Sequence, residues 1–526
     1  MVNRKKHFTL IAHIVQVVLC IIVLSASRTS ATMANVVFQD EVLYIDDIPT
    51  FLLSADYPYY RDHRNDWSRQ LDMIKNMGVK VITCYMPWRH HAPNDPLHGS
   101  GFYDFTGQTQ SNRDVKYFLD LIQQKGLMVI IKPGPFIHAE VDYGAIPDYI
   151  SQAIESGLIE AEKDCSGLPT QWQQPLLIKF PAALDPYYLL YVQDWLSHVD
   201  NFLMVNNYHY PAGPVIGAQL LNEGIYSNSR ERITGFRSYD WSLSSRNNFR
   251  DFLKTRYNNF LSDYNSYHGT SFSSWDQIEP PRHWNSPNSK QKALEYLDWG
   301  EYCPDFYRRV LATYKSYMPN LSVPLIHNFM PVYGYHKDID LTGVEHFNTR
   351  TVPDLFGQAT YGYTAWVGSP TNDENAYARL VFTAAHHRGL NMEGNWSYTS
   401  VWPEYQYTTP SYFENMLYTA YGATGLNIYI ATSVDYWTSA LDSKNTPPHG
   451  PVAPITENGQ PRNKFWTVQQ MSLFFENEGR YLLLANHRQN RVAWGIYPPY
   501  SSACAWEDNT GAWQSAGFFD IPRNGF

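Results

Sequence analysis

Between residues 50 and 485, short apolar runs alternate with longer amphipathic runs, and this alternation constrains the fold more than any other feature. The runs at 51–55, 79–85, 127–131, 214–221, 323–326, 355–360, 390–393 and 425–431 read as strands. Most are unbroken apolar stretches, the mark of strands buried on both faces. Between them, 67–77, 114–124, 187–205, 245–264, 291–317, 376–387, 412–421 and 464–484 read as helices, and Trp67, Leu71 and Ile74 show the helical spacing. Gly78, Gly126 and Gly389 supply stops. Strands joined by helices pair in parallel. Eight such units predict an α/β fold, the (β/α)8 TIM barrel, which needs about 250 residues plus insertions. An open doubly wound sheet is the alternative, but no Gly-x-Gly-x-x-Gly turn follows an early strand.

The barrel is expected to span 36–486, with a polar, aromatic-rich helical insertion at 226–320 after the fourth strand. Past Asn486 the pattern changes. Residues 491–496 alternate like a strand, and 487–526 are rich in Gly, Ser, Trp and turns. Forty residues are few for an independent domain. This β-type extension either packs on the barrel or starts a β-domain that the chain does not complete.

At the N-terminus, Arg4, Lys5 and Lys6 precede an apolar stretch from 8 to 24 and then small residues. The layout is that of a cleaved signal over 1–31, with an uncleaved signal anchor as the alternative. A secreted, endomembrane or lysosome-like lumenal location is therefore expected. No stable membrane insertion is expected once the signal is removed. Of five Cys, Cys20 would leave with the signal, and the wide spacing of Cys84, Cys165, Cys303 and Cys504 suits neither zinc nor a small disulfide scaffold. Cys84 reads as a buried thiol, while Cys165 and Cys303 could pair. Asn320-Leu-Ser322 and Asn395-Trp-Ser397 match the N-glycosylation pattern, the second inside a segment expected to be buried. The net charge of −10 gives no pull toward nucleic acid or anionic membrane. There are 16 Trp, 40 Tyr and 26 Phe, which means a large aromatic core, sugar-stacking surfaces, or both.

In a barrel of this kind the functional residues stand at the C-terminal ends of the strands. Several of these ends carry unusual polar residues: Tyr85-Met86-Pro87-Trp88, Pro133-Gly134-Pro135 with Ala139-Glu140, Asn222-Glu223, His327-Asn328 and Glu393-Gly394-Asn395-Trp396. An apolar strand that ends in a carboxylate needs a reason, since unpaired charge avoids burial. A salt bridge is one reason. Two carboxylates at two strand ends, Glu223 and Glu393, are another, because glycoside hydrolysis uses such a pair. His90-His91 and His138 invite a metal reading, but no His-x-x-x-His or His-Glu-x-x-His pattern exists, and neither metal nor cofactor is expected.

These motifs together resemble glycoside hydrolase family 35, the β-galactosidase family. It belongs to a clan of (β/α)8 barrels with the acid/base on strand four and the nucleophile on strand seven. Tyr85-Met86-Pro87-Trp88 is similar to the family's Tyr-x-Pro-Trp. Lys132-Pro133-Gly134-Pro135-Phe136-Ile137-His138-Ala139-Glu140 is similar to its Arg-Pro-Gly-Pro-Tyr-Ile-Cys-Ala-Glu. Phe102 to Gly107, Gly144 to Pro147, Gly213 to Glu223 and Gly422 to Asn427 match further segments. The resemblance implies Glu223 as acid/base and Glu393 as nucleophile. It implies Tyr85, Ala139, Glu140 and Asn222 as positions that hold a terminal galactose. A core ion pair of Glu140 with Lys132 or Arg89 is the competing role.

The chain departs from the family where Arg89-His90-His91-Ala92 replaces Asn-x-His-Glu, and where Gly224-Ile225 replaces Tyr-Gly. The expected activity is that of a retaining exo-β-glycosidase releasing β-galactose from an oligosaccharide or glycoconjugate by double displacement. An exo-β-glucosaminidase or other β-glycosidase of the same clan is the first alternative. An inactive carbohydrate-binding barrel is the second. Trp88, Trp366, Trp396, Trp402 and Trp437 are candidate sugar stackers or core. Asp354 and Asp435 are strand-end carboxylates with no assigned role. Nothing in the sequence sets the oligomeric state.

Overall fold

The structure, a computed structural model, describes residues 35–172, 178–226, 240–282, 289–329, 359–366, 368–386, 388–400, 402–436 and 441–485. Among these, eight parallel strands close into a barrel: β4 (Leu52–Asp56), β5 (Val81–Tyr85), β6 (Met128–Gly134), β7 (Val215–Leu220), β8 (Leu325–Phe329), β9 (Ala359–Thr364), β10 (Leu390–Asn395) and β11 (Gly425–Tyr429). Strand β11 pairs with β4 and closes the ring. Each sequence-predicted strand has its counterpart. The sixth, predicted at 355–360, is described from residue 359, where 359–364 pairs with β8 and β10. A short antiparallel sheet, β1 (Val36–Gln39), β2 (Val42–Ile45) and β3 (Ile48–Thr50), precedes the barrel and was not foreseen.

The strands show why an apolar run becomes a barrel stave. Side chains alternate between the two faces of a strand. Leu52, Val81, Ile130, Ile216, Ile326, Leu390 and Met392 pack together as one buried cluster. Leu53, Ala55, Ile82, Cys84, Val129 and Ile131 belong to a second, larger cluster. The first fills the barrel and the second faces the helices. Val36 and Leu43 of the small sheet join the inner cluster, so that sheet corks one end of the barrel.

The helices are α1 (Trp67–Asn76), α2 (Val115–Gln124), α3 (Asp148–Glu155), α4 (Pro186–Val205), α5 (Leu243–Arg256), α6 (Leu261–His268), α7 (Lys290–Ser316), α8 (Glu374–His386), α9 (Thr408–Ala420) and α10 (Asn463–Leu484). Trp67, Leu71 and Ile74 are buried as their spacing predicts. The predicted single helix at 245–264 is instead two, α5 and α6. Asn258 and Asn259 take left-handed backbone angles between them, which Asn tolerates better than most residues. Helix α7 holds this insertion through Trp299, whose ring lies 5.1 Å from both Trp241 and Phe249. The N-terminal segment, residues 330–358 and the 487–526 extension lie outside the described residues, as do Asp354, Trp437, Cys504 and the side chain of Cys303. No described helix is long and apolar enough to cross a membrane. Cys84 is a buried thiol.

Above the apolar layer the barrel interior turns polar. Ser54 donates to Asn427 Oδ1 at 2.8 Å, and Thr83 donates to Asp56 Oδ2 at 2.9 Å. Lys132 Nζ meets Asp56 Oδ2 at 3.1 Å, both side chains almost fully buried. Removing one partner of such a pair strands a buried charge and costs about 3–5 kcal/mol. Lys132→Met is therefore expected to lower unfolding free energy by about that amount, and Asp56→Asn in the same chain to recover part of it. Chemical denaturation of the single and double variants checks this.

Candidate active site

The site stands on that polar layer, at the C-terminal ends of β5, β6, β7, β10 and β11. Glu393 lies within β10, and the pairing of this strand shifts register between Asn391 and Gly394. Such irregularities re-aim side chains near functional sites. Gly394 is required beside it, since a Cβ there would sit 2.9 Å from Asn415 Oδ1 and 3.3 Å from Asn427 O. Tyr85 donates its hydroxyl to Glu393 Oε1 at 2.7 Å, and Trp366 donates Nε1–H to Oε2 at 3.0 Å.

Glu223 follows β7 by a sharp turn. Leu221 and Glu223 both have positive φ, 59° and 56°. Left-handed backbone at non-glycine residues costs energy and concentrates at functional sites. A polar network holds the turn. Gln219 Nε2 donates to Asn222 Oδ1 and to Asn328 Oδ1, each at 2.9 Å. Asn328 Nδ2 donates to Asn222 Oδ1 at 2.9 Å, and the Glu223 N–H donates to Asn328 Oδ1 at 3.1 Å. Asn222 Nδ2 donates to the carbonyl of His138 at 2.7 Å. His138 Nδ1 in turn hydrogen-bonds Glu223 Oε2.

Glu140 completes the group. Tyr429, the last residue of β11, donates its hydroxyl to Glu140 Oε2 at 2.7 Å. Arg61 donates to the Glu140 carbonyl at 2.6 Å and pairs with buried Asp442 at 3.1 Å. The competing role for Glu140 is overturned, because Lys132 is spent on Asp56 and Arg89 pairs with Asp148. Ala139 is buried beside it. Thus Tyr85, Ala139, Glu140, Asn222, Glu223 and Glu393 are all brought to one end of the barrel.

Other candidates are placed elsewhere. Trp88 and Trp396 are fully buried and belong to the core. Trp366 and Trp402 stay partly exposed and stack, with centroids 6.1 Å apart and planes at 16°, next to Glu393. His91 bonds Tyr59 and the Asp104 carbonyl, each at 2.7 Å, while His90 bonds the Asn112 carbonyl at 3.1 Å. The described residues contain no group of three or more side chains placed to hold a metal. Asp435 is exposed. Asn395 is buried and Asn320 is exposed, its Nδ2 donating to Asp200 at 2.9 Å. The sequence reading passed over Gln219, Asn328 and Tyr429 as partners. Asn328 was visible as a polar strand end, but which carboxylate each would serve depends on the barrel closing.

Burial, then the nearby Glu223 charge, push Glu393 up to about 8, against the pull of Lys132, Trp366 and Tyr85. Burial also raises Glu140, opposed by the Tyr429 hydrogen bond and by His138. Two like charges in one dry site do not both ionise easily. Tyr85 and Trp366, each donating to one Glu393 oxygen, favour its ionised form and hold that rise in check.

The chain is thus a (β/α)8 barrel with interacting carboxylates at the ends of its fourth and seventh barrel strands. Comparison with known proteins agrees with this fold. The family model for "Glycosyl hydrolases family 35" matches residues 42–157, and a second family model, "Beta-galactosidase", matches residues 228–412. The exo-β-D-glucosaminidase of Pyrococcus horikoshii is 25% identical over 88% of this chain and 57% of its own length. The β-galactosidase of Mus musculus is 30% identical over 34% of this chain and 22% of its own length. A β-1,2-glucosyltransferase of Ignavibacterium album is 24% identical over 56% of this chain and 38% of its own. The chain therefore spans 57% or less of these curated relatives. Among solved structures, β-galactosidase from Bacillus circulans sp. alkalophilus superposes with a TM-score of 0.57 at 13% identity, over 83% of this chain and 57% of the other. The enzyme from Rahnella sp. R3 gives 0.55 at 15% identity, over 87% and 63%. These structures share the fold. Residues 42–157 are thus similar to glycoside hydrolase family 35, and the chain carries the (β/α)8 barrel.

A raised carboxylate has a thermodynamic signature. The native state keeps the Glu393 proton to about pH 8, whereas the unfolded chain releases it near pH 4.5. Its contribution to stability is full below pH 4.5 and is lost as pH rises through 8. Glu393→Gln removes that loss. Melting temperatures at pH 5, 7 and 9 are expected to show the variant gaining on wild type at each step.

Proposed function

We propose that this chain is a retaining exo-β-glycosidase that releases terminal β-D-galactose. The observation that carries the reading is the pair Glu223 and Glu393, buried at the ends of strands four and seven of the barrel and sensing each other's charge. In this reading Glu223 gives its proton to the glycosidic oxygen as the Glu393 carboxylate attacks the anomeric carbon. The bond to the leaving group breaks and a glycosyl ester forms on Glu393. Water then attacks that carbon, gives a proton to Glu223, and frees the sugar with its configuration retained. Tyr85 and Trp366 hold Glu393 for attack. Glu140, with Tyr429 behind it, is a two-oxygen acceptor for sugar hydroxyls, and Asn222 stands beside the acid/base for a hydroxyl near the reacting carbon. Trp366 and Trp402 offer a flat face to the sugar or its leaving group.

A second reading, an exo-β-D-glucosaminidase, is favoured by one observation: the Pyrococcus horikoshii relative of that name matches 88% of this chain. An amino sugar would bring an ammonium group to a pocket that already holds three carboxylates. We also read the protein as a secreted or lumenal one, on its N-terminal pattern alone.

The test is hydrolysis of aryl β-galactoside, β-glucosaminide, β-glucoside and β-fucoside by wild type, Glu223→Gln and Glu393→Gln. Wild type is expected to prefer the galactoside, and each variant to lose about 10³-fold or more in kcat. The first-formed sugar is expected as the β-anomer by NMR. Preference for the glucosaminide moves the substrate to the second reading. A folded wild type that cleaves none of them, yet binds a sugar, is a carbohydrate-binding barrel.

A further inference from the structure

We propose that His138 is a positioning residue for Glu223: it clamps one carboxylate oxygen and holds a positive charge against it through the reaction. This rests on the reading of Glu223 as acid/base. In the motif that the 132–140 segment resembles, the corresponding position is Cys. A thiol is a weak donor, whereas a protonated imidazole donates from a full positive charge. The replacement therefore changes the electrostatics beside the acid/base.

The geometry is specific. His138 Nδ1 bonds Glu223 Oε2, and the carbonyl of the same residue accepts from Asn222 Nδ2 at 2.7 Å. One residue thus ties down both members of the Asn-Glu pair. The turn that carries it is itself fixed. Trp195 donates to the Pro133 carbonyl at 2.8 Å, and the Ile137 N–H donates to the Gly144 carbonyl at 2.8 Å. Gly144 has φ of +57°, and a Cβ there would strike the Phe136 ring, so this return turn keeps its glycine. The imidazole is the more exposed partner and Glu223 is almost fully buried.

The surroundings favour a charged imidazole. Glu223 faces it from the end of β7, Glu140 from its own loop, and Glu393 lies across the pocket on β10. Tyr85 and Tyr429 are the titratable phenols of the same pocket, and Arg61 and Lys132 are its cations, with Arg61 paired to Asp442 and Lys132 to Asp56. When Glu223 passes its proton to the leaving oxygen, the new carboxylate is met by the imidazolium N–H, a charge-assisted hydrogen bond. His138 keeps its own proton throughout, and Glu223 regains one from the attacking water.

Two experiments decide the matter. The first needs no turnover. The imidazole of His138, carbon-13 labelled and assigned by its loss in His138→Gln, is titrated by NMR in wild type and in Glu223→Gln. Its midpoint is expected to fall by about one pH unit when the carboxylate is removed. An unchanged midpoint overturns the proposal. The second compares His138→Cys and His138→Gln with wild type on two aryl glycosides of the preferred sugar. With a 4-methoxyphenyl leaving group, which needs a proton, kcat is expected to drop at least tenfold more than with 2,4-dinitrophenyl, which does not. Losing the cation also raises Glu223, so the alkaline limb of kcat/KM is expected to move up. Equal losses on both substrates with an unmoved limb mean a packing role and overturn the proposal. If wild type cleaves no glycoside, the proposed activity fails, while the NMR arm still decides the His138–Glu223 pair.

Discussion

The ion pair between Lys132 and Asp56 anchors the upper barrel. It joins β6 to β4 across the interior at 3.1 Å, with both side chains shut off from solvent. Asp56 also takes the Thr83 hydroxyl, so β5 is tied to the same carboxylate, while Ser54 and Thr83 both reach Asn427 on β11. Four staves of the barrel thus meet at one polar floor. The Lys132 charge lies close enough to oppose the rise in Glu393. Without that cation below them, the carboxylates above would face both desolvation and each other with less to offset them.

The fold was legible because its signals are local and repeated. Eight apolar runs separated by helical patterns leave few architectures, and the strands lie close to where the runs fall. What escaped the reading is informative. The break between α5 and α6 depends on two Asn residues taking left-handed angles, a choice that side-chain pattern does not record. The small sheet β1–β3 is too short to show a period, and gains its reason only by covering the inner apolar cluster.

The site was legible to a similar depth. The polar residues that interrupt apolar runs at 85, 140, 222, 223 and 393 do gather at one end of the barrel. Their identities came from motif and strand position. Their partners did not, since Tyr85 reaches Glu393 from β5 and Trp366 from just past β9, and Tyr429 reaches Glu140 from nearly three hundred residues away. Such pairings are products of closure. His138 was weighed only as a metal ligand, because a lone histidine in a turn gives no hint that a buried carboxylate will arrive beside it.

The cork at the closed end has a consequence for how the chain comes into being. Glu41 accepts the Thr424 hydroxyl at its carbonyl and the Tyr361 N–H at its carboxylate. The β1–β2 turn is therefore stitched to the sixth stave and to the residue just before the eighth. A ribosome releases the cork first, and its seat last. Until residue 429 has emerged, β4 lacks its neighbour β11, and the apolar lining of a half-ring stands open to water. Long-range parallel pairing of this kind is slow. The nascent chain therefore exposes these apolar strand faces until its last stave is made, and the ring and its cork are completed together.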